Sequence, residues 1–266
     1  MQLVEQGKIS LQDSISTYIP GYPTGGYAIT IEHLLTHTSG IVDFMAIEEF
    51  DSTTWRVDFS PIDFINYFKR EYLNFAPGTD YSYSNSGYFL LGYIIEKVSG
   101  VSYQKYIEDN IFIPAGMTNS YYNDHKKIIY NRASGYARGS DGFENAEYVS
   151  SSLLYSAGAL LSTVGDFFEY YQALNTYKLV SKESLEKTRT GYTLKNGAET
   201  GYGYGVQVRN LGGYCTIAHA GGGPGSWTMH WYFPSEDVHF IIFTNCEEYI
   251  SKDSLVFDLA VLAVGK

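Results

Sequence analysis

The sequence predicts an α+β fold, in which a mostly helical region comes first and an antiparallel sheet flanked by helices comes late. Two observations support this prediction. Between about residues 30 and 190, apolar residues recur at helical spacing after polar residues that are typical helix caps. After Gly201 the period changes to two, and four strand-like runs follow. Helices followed by strands, rather than alternating units, are typical of an α+β domain.

The helical region divides at its capping signals. Ser60-Pro61-Ile62-Asp63 combines a cap, a proline in the first turn and an acid at the third position, so a helix is predicted to begin there. The other predicted helices are capped by Thr30, Ser162 and Ser181, or span residues 86–98 and 102–112. Residues 118–155 are irregular and form either a rim over a binding cleft or a solvated excursion.

The predicted sheet occupies residues from about 200 to 266. Its strand-like runs are Tyr202 to Val208, Tyr214 to Ala218, Trp227 to Phe233 and Val238 to Thr244. Leu255 to Val264 is apolar but short and interrupted by Asp258, so it is predicted to be a closing amphipathic helix rather than a membrane span. Since no repeat or linker divides the chain, residues 1–266 are predicted to form one domain.

Composition narrows the possible partners. The 266 residues carry a formal net charge of -11 and have a pI near 4.9. Nucleic acids and anionic membranes select for basic patches, so neither is an expected partner. Neither a transmembrane segment nor a secretory signal is predicted, and the localisation stays undetermined. Cys215 and Cys246 fall at opposite ends of the predicted sheet, so free thiols are expected.

The residues from Phe75 to Tyr88 form the first candidate site. Pro77-Gly78 fits the centre of a type II turn, because proline sets one φ and glycine accepts the positive φ that follows. If the chain is extended after this turn, Tyr83 and Asn85 leave the backbone on the same side. The helix that begins near Ser86 brings them to its N-terminus, where N–H groups favour a negative ligand. The alternative is local: Asn85 as a helix cap and Tyr83 as a core aromatic.

The second candidate site is the segment from His219 to Gly225, which is predicted to lie between two strands. Its four glycines let a ligand approach main-chain N–H groups closely, and His219 supplies a donor or a cation. These features suit an acyl group with a carboxylate. The alternative is a glycine-rich hairpin with an incidental histidine.

His33 and His37 are a possible metal site. The two residues are four apart and are predicted to share a helical face, as zinc ligands do. The glutamate of a His-Glu-x-x-His site is missing and no third ligand is evident. We therefore expect capping and packing roles for both, with neither a metal nor a cofactor.

Together these stretches resemble the class C β-lactamase-like serine hydrolases, a family related to penicillin-binding proteins, esterases and D-alanyl peptidases. Six segments follow the family's order along nearly the whole chain, which makes the resemblance specific. They are Leu3 to Asp13, His33 to Gly40, Pro77-Gly78-Thr79 before Tyr83-Ser84-Asn85, Pro114 to Met117, Ser156-Ala157-Gly158 before Ser162-Thr163, and His219-Ala220-Gly221. The resemblance implies a β-lactamase/transpeptidase-like fold and acyl transfer through a serine ester.

The resemblance also implies roles for individual residues. Tyr83 matches the tyrosine that moves a proton between nucleophile and leaving group, and Asn85 matches the residue that holds the substrate amide. His219 and Gly221 match the Lys-Thr-Gly element in its His-x-Gly form, and the N–H of Gly222 is the implied oxyanion donor. Histidine in place of lysine argues against recognition of a β-lactam carboxylate.

The family's nucleophile is not at its expected place in these residues. Its Ser-x-x-Lys motif begins the helix whose end is here Met1 to Gln6, so we expect it about ten residues before Met1. Ser102 to Lys105 and Ser184 to Lys187 match the letters but align with peripheral helices. The expectation is an N-terminally truncated domain that lacks the first strands of its sheet and is inactive as these 266 residues.

Two further functions stay open. A non-catalytic module would use the same cleft to bind a peptidoglycan peptide or sugar. A structural protein would use the exposed sheet edge to pair with another chain, including a second copy of itself. Family members act on amides, lactams or esters, so the substrate, a small molecule or a peptide, is not narrowed further.

Overall fold

The computed structural model describes residues 1–246, 258, 259 and 262. Its helices are α1 (Gln2–Glu5), α2 (Ile31–Leu35), α3 (Pro61–Phe68), α4 (Asn85–Ser99), α5 (Tyr103–Ile107), α6 (Ile113–Ala115), α7 (Ser151–Gly158), α8 (Val164–Asn175) and α9 (Lys182–Thr188). Its strands are β1 (Tyr121–Tyr122), β2 (Tyr136–Gly139), β3 (Gly142–Asn145), β4 (Leu160–Leu161), β5 (Gln207–Leu211), β6 (Tyr214–Gly223), β7 (Ser226–Phe233) and β8 (Val238–Thr244). Helices followed by a late antiparallel sheet confirm the α+β prediction. The helix predicted for Leu255 to Val264 lies outside the described residues, except for positions 258, 259 and 262.

The helical region packs around α4. Phe89, Leu90 and Ile94 on this helix are buried against α2, α3 and α7. The closest approach is at Gly92, where a Cβ would lie 2.1 Å from Oγ of Ser156, so only glycine lets α7 pack this tightly. Among the described residues, no helix is long and apolar enough to cross a bilayer.

Local capping explains where the helices begin. The Ser60 side chain accepts the N–H of Asp63 at the start of α3, as predicted. At α8 the predicted cap, Ser162, was wrong by one residue. Thr163 accepts the N–H of Asp166 there, while the Ser162 hydroxyl bonds to Ser120.

The late sheet is antiparallel, with strand order β5-β6-β7-β8. The first strand was predicted from Tyr202, but β5 begins at Gln207, because the chain turns at Gly205, whose φ is 80°. β6 is longer than predicted: it pairs with β7 as far as Gly223. His219 and the glycines after it therefore lie within a strand, and only Pro224-Gly225 turns the chain.

The two cysteines lie at the two ends of this sheet. Cys215 is near the start of β6 and Cys246 follows β8, which runs parallel to β6. Both are free thiols.

Residues of β7 alternate between two environments. Trp227, Met229, Trp231 and Phe233 form an apolar cluster on one face. On the other face α8 packs through rings that we call the helix–sheet cluster: Tyr171, His230, Tyr232 and His239. His230 Nε2 lies 3.1 Å from His239 Nδ1, and the Tyr171 ring centre is 3.9 Å from that of His230. The cluster thus joins α8 to β7 and β8.

Candidate active site

A tight turn leads into the first half of the site. Thr79 N–H donates to the carbonyl of Ala76 at 3.1 Å, and Gly78 has φ 77°, so Pro77-Gly78 forms the predicted turn. Lys195, from a later loop, holds this turn: its Nζ donates to the Pro77 carbonyl at 2.7 Å and its N–H to Gly78 at 3.0 Å. The chain then runs without regular structure to the start of α4.

Asn85 is the first residue of α4, and Ser84, not Asn85, is the helix cap. The Asn85 Nδ2 donates to the Asp43 carboxylate at 3.0 Å. Burial raises the pKa of Asp43 above its usual range. The amide nitrogen of Asn85 is committed to Asp43, and no partner among the described residues bonds to its Oδ1, which can accept a ligand N–H.

Tyr83 stands beside these residues with its phenol partly open. Its side chain is 42% exposed, and its ring centre lies 4.0 Å from that of His37. Burial of the remainder, with a smaller contribution from the Asp43 charge, raises the pKa of Tyr83 to about 12. The phenol is therefore protonated at neutral pH.

His219, on β6, contributes the second half of the site. Its Nε2 lies 3.1 Å from the hydroxyl of Tyr202, a tyrosine that is 1% exposed. Burial lowers the pKa of His219. The imidazole is therefore neutral at pH 7 and acts through hydrogen bonds rather than as a cation.

The backbone of β6 next to His219 faces an opening. In a two-residue hairpin the closing residue, Gly223, exchanges both hydrogen bonds with β7. Alternation then turns the N–H groups of Ala220 and Gly222 away from β7. Within the described residues, the pairing of β6 with β5 stops at Ala218. The N–H of Gly222 is thus free of both neighbouring strands.

The two glycines at the predicted substrate-binding positions differ in the space around them. A Cβ at Gly221 would lie 2.7 Å from Oγ1 of Thr228, so a side chain there would require Thr228 to shift. A Cβ at Gly222 would make only an ordinary contact, 3.8 Å from Cδ1 of Trp227. Gly221 therefore permits close strand pairing, and Gly222 leaves its exposed N–H accessible.

The two halves meet at what we call the site cluster: His37, Tyr83, Tyr202 and His219. The ring centres of Tyr83 and His219 are 6.2 Å apart, although the residues are distant in sequence. The Asp43 carboxylate that accepts from Asn85 is also near enough to Tyr83 for its charge to help raise the pKa of that phenol. The structure thus brings the predicted residues together, and their catalytic and binding roles remain predictions.

Sequence reasoning missed three residues of this site. Asp43 and Tyr202 gave no recognisable signal, because their partners are far away in the chain. His37 was expected to have a capping or packing role, so its place in the site was missed. It was also predicted to share a helical face with His33, which was wrong, because α2 ends at Leu35 and His37 has φ 56°. In the described part of the chain, no group of three or more metal-ligating side chains comes together.

The two Ser-x-x-Lys segments serve other purposes. Ser102 is the cap of α5, and Lys105 forms an exposed ion pair with Asp109 at 2.7 Å. Ser184 lies inside α9 and is buried there. Both segments have local roles in short helices.

Comparison with known proteins assigns the family. The family model described as Beta-lactamase matches residues 1–264. Penicillin-binding protein 4* of Bacillus subtilis is 34% identical over 265 residues, covering 92% of this chain and 57% of that protein. A penicillin-binding protein from Bacillus halodurans has a TM-score of 0.83 with 29% identity, covering 99% of this chain and 80% of that one. An octameric penicillin-binding protein homologue from Pyrococcus abyssi has a TM-score of 0.85 with 30% identity, covering 100% of this chain and 63% of that one.

These matches confirm the resemblance and the β-lactamase/transpeptidase-like fold. The chain spans a little over half the length of the curated relative, 57%. With the family model matching nearly every residue, this chain belongs to the beta-lactamase family.

Proposed function

We propose that the cleft between the start of α4 and β6 belongs to a serine hydrolase that transfers an acyl group from an amide, lactam or ester. The observation that carries this proposal is the 6.2 Å separation of the Tyr83 and His219 rings beside a free N–H. Tyr83 moves the proton between nucleophile and leaving group, Asn85 accepts the substrate N–H, and the Gly222 N–H binds the oxyanion.

We infer that the 266 residues do not turn over substrate by themselves. A phenol whose pKa is about 12 stays protonated at neutral pH and cannot accept a proton, and a neighbouring cation would be needed to lower that pKa. The lysine of a Ser-x-x-Lys motif would be such a cation, and the motif would also bring the serine. Lys105 is paired with Asp109 and does not serve this purpose.

The neutral state of His219 narrows the substrate class. A carboxylate beside the glycine strand would be paired best by a lysine or arginine, whereas a neutral imidazole offers a hydrogen bond alone. Tyr202 already occupies its Nε2. We therefore favour an amide or ester substrate over a β-lactam that is held by its carboxylate.

Covalent labelling tests this function. The 266-residue chain is compared with a longer version in which a Ser-x-x-Lys segment stands about ten residues before Met1, as the family pattern requires. A fluorophosphonate, which reacts with an activated serine, is expected to label only the longer protein. Tyr83→Phe is expected to slow that labelling by about 100-fold or more, the usual contribution of a general acid–base group.

The matched control is Tyr72→Phe, which removes a phenol that is 62% exposed and outside the site. It is expected to leave the labelling rate unchanged. A labelled 266-residue chain, or a longer protein that stays unlabelled, would contradict the proposal.

The binding-module alternative uses the same cleft, and calorimetry distinguishes it. It predicts affinity for a peptidoglycan peptide that is weakened by Tyr83→Phe or His219→Ala, with no labelling of either protein. Acyl transfer predicts labelling of the longer one.

Self-association through a sheet edge also remains a proposal. Within the described residues β8 pairs along its length with β7 alone, and Tyr136 makes a single bridge to Cys246 beyond its end. The solved homologue from Pyrococcus abyssi is octameric. Sedimentation at increasing concentration is expected to reveal oligomers; a monomer at high concentration would contradict the proposal.

A further inference from the structure

His37 has two features that packing alone does not require. It lies just beyond the end of α2 with φ 56°, in the left-handed conformation that usually selects glycine or asparagine. It is 1% exposed, and among the described residues no partner reaches its Nε2. A buried donor without an acceptor is unfavourable, and glycine would adopt this backbone conformation without that buried nitrogen.

The same residue holds both sides of Tyr83. The N–H of Ser82 donates to the main-chain carbonyl of His37 at 3.0 Å. The N–H of Ser84 donates to the His37 Nδ1 at 3.0 Å. Between these two bonds the ring of Tyr83 lies on the imidazole, with 4.0 Å between the ring centres.

The second of these bonds requires a neutral imidazole. Since Nδ1 accepts a hydrogen bond, it carries no proton, and the neutral ring has its proton on Nε2. Burial, with a smaller effect from His219, lowers the pKa of His37 to about 3. The other rings in contact with the imidazole, within the described part of the chain, are the phenols of Tyr81, Tyr88 and Tyr202. The acceptor at Nδ1 is thus maintained across neutral pH.

We propose that His37 is a positioning residue, which fixes the phenol of Tyr83 in the cleft by accepting the Ser84 N–H through Nδ1. The inference rests on the proposed function, because a phenol that transfers a proton must be held in one position. His37 acts through Tyr83 and does not touch the substrate.

Two substitutions separate the imidazole acceptor from the backbone conformation. Glycine and asparagine both tolerate a positive φ, but only asparagine offers an acceptor, Oδ1, near the position of Nδ1. His37→Gly is therefore expected to release Tyr83, and His37→Asn to keep it in place. Both variants leave the Ser82 bond to the main-chain carbonyl intact.

Nitration by tetranitromethane at pH 8 reports on the phenol, because the reagent attacks accessible phenolate. Peptide mapping by mass spectrometry gives the rate at Tyr83, with Tyr130, which is 85% exposed, as the internal standard. Tyr83 is expected to react at least about tenfold more slowly than Tyr130 in the original protein, because its pKa is raised. His37→Gly is expected to raise the Tyr83 rate several-fold, and His37→Asn to restore it.

Three results would overturn the positioning role of His37. An unchanged Tyr83 rate in His37→Gly, or a failure of His37→Asn to restore it, would overturn the proposal. A rise that also reaches the buried Tyr171 would mean general loosening and would overturn it too. Nitration needs no turnover, so a supportive result together with failed covalent labelling would count against the proposed function alone.

Discussion

The site cluster and the helix–sheet cluster are built from the same residue types but lie in different surroundings. Each holds a buried histidine whose pKa is lowered to about 3, His37 in one and His230 in the other, and in both burial is the main cause. Each also packs a tyrosine ring about 4 Å from that histidine, at 4.0 Å for Tyr83 and 3.9 Å for Tyr171. The ring types and the burial of the two histidines therefore do not tell the clusters apart.

What differs is access to the polar groups. Tyr83 is 42% exposed and adjoins a strand whose Gly222 is open, whereas Tyr171 and His230 are 5% and 2% exposed. In the helix–sheet cluster the histidines bond to each other and the rings close around them. A perturbed histidine is therefore a sign of function only where a ligand has a route to the groups around it.

The largest expected effect that both clusters share is a loss of stability in acid. The imidazoles of His37 and His230 titrate near pH 6.5 in the unfolded chain and at about 3 in the folded one. The unfolded chain therefore binds protons first, so this stability is complete above about pH 6.5 and falls as the pH drops towards 3. At 1.36 kcal/mol per pKa unit, each histidine contributes on the order of 5 kcal/mol at most.

Urea unfolding between pH 7.5 and pH 5 gives the slope of the unfolding free energy against pH. Substitutions can remove the contribution of each cluster to that slope. His230→Phe combined with His239→Phe keeps the rings and removes the buried nitrogen atoms, two of which have no partner among the described residues. The double variant is expected to flatten the slope, and His37→Asn to flatten it separately. Slopes equal to that of the original protein would show that these histidines are not buried in solution.

The sequence was sufficient where the physical cause is local. The cap at Ser60 and the turn at Pro77-Gly78 each depend on at most four consecutive residues, so both can be predicted from the local sequence. The pairing of Tyr83 with His219 was expected from the order of family motifs rather than from local chemistry. Strand ends were less predictable, because β6 continues to Gly223 only through its pairing with β7.

The sequence was insufficient where partners are distant. The N–H of Ser84 donates to His37, which is 47 positions away in the chain, and the residues around His37 do not indicate that bond. The bond between His230 and His239 depends on the register of two strands and on α8 lying above them. Asp43 likewise has a role only once α4 brings Asn85 to it. Each is a tertiary contact, which local propensity does not encode.

The smallest expected effect is on the free energy of unfolding. It distinguishes the two phenols of the site cluster, Tyr202, whose hydroxyl is hydrogen-bonded, and Tyr83, whose hydroxyl is open to a ligand. Tyr202→Phe removes the hydroxyl that bonds to His219 and is expected to lower the free energy of unfolding by about 0.5–1.5 kcal/mol. Tyr83→Phe is expected to change it by less than about 0.5 kcal/mol, because within the described residues its hydroxyl makes no hydrogen bond and part of the ring is in solvent. Urea unfolding at pH 7.5 measures both. If Tyr83→Phe proved as destabilising as Tyr202→Phe, the hydroxyl of Tyr83 would have a structural partner. It would then not be available to a substrate, and the contrast with Tyr202 would fail.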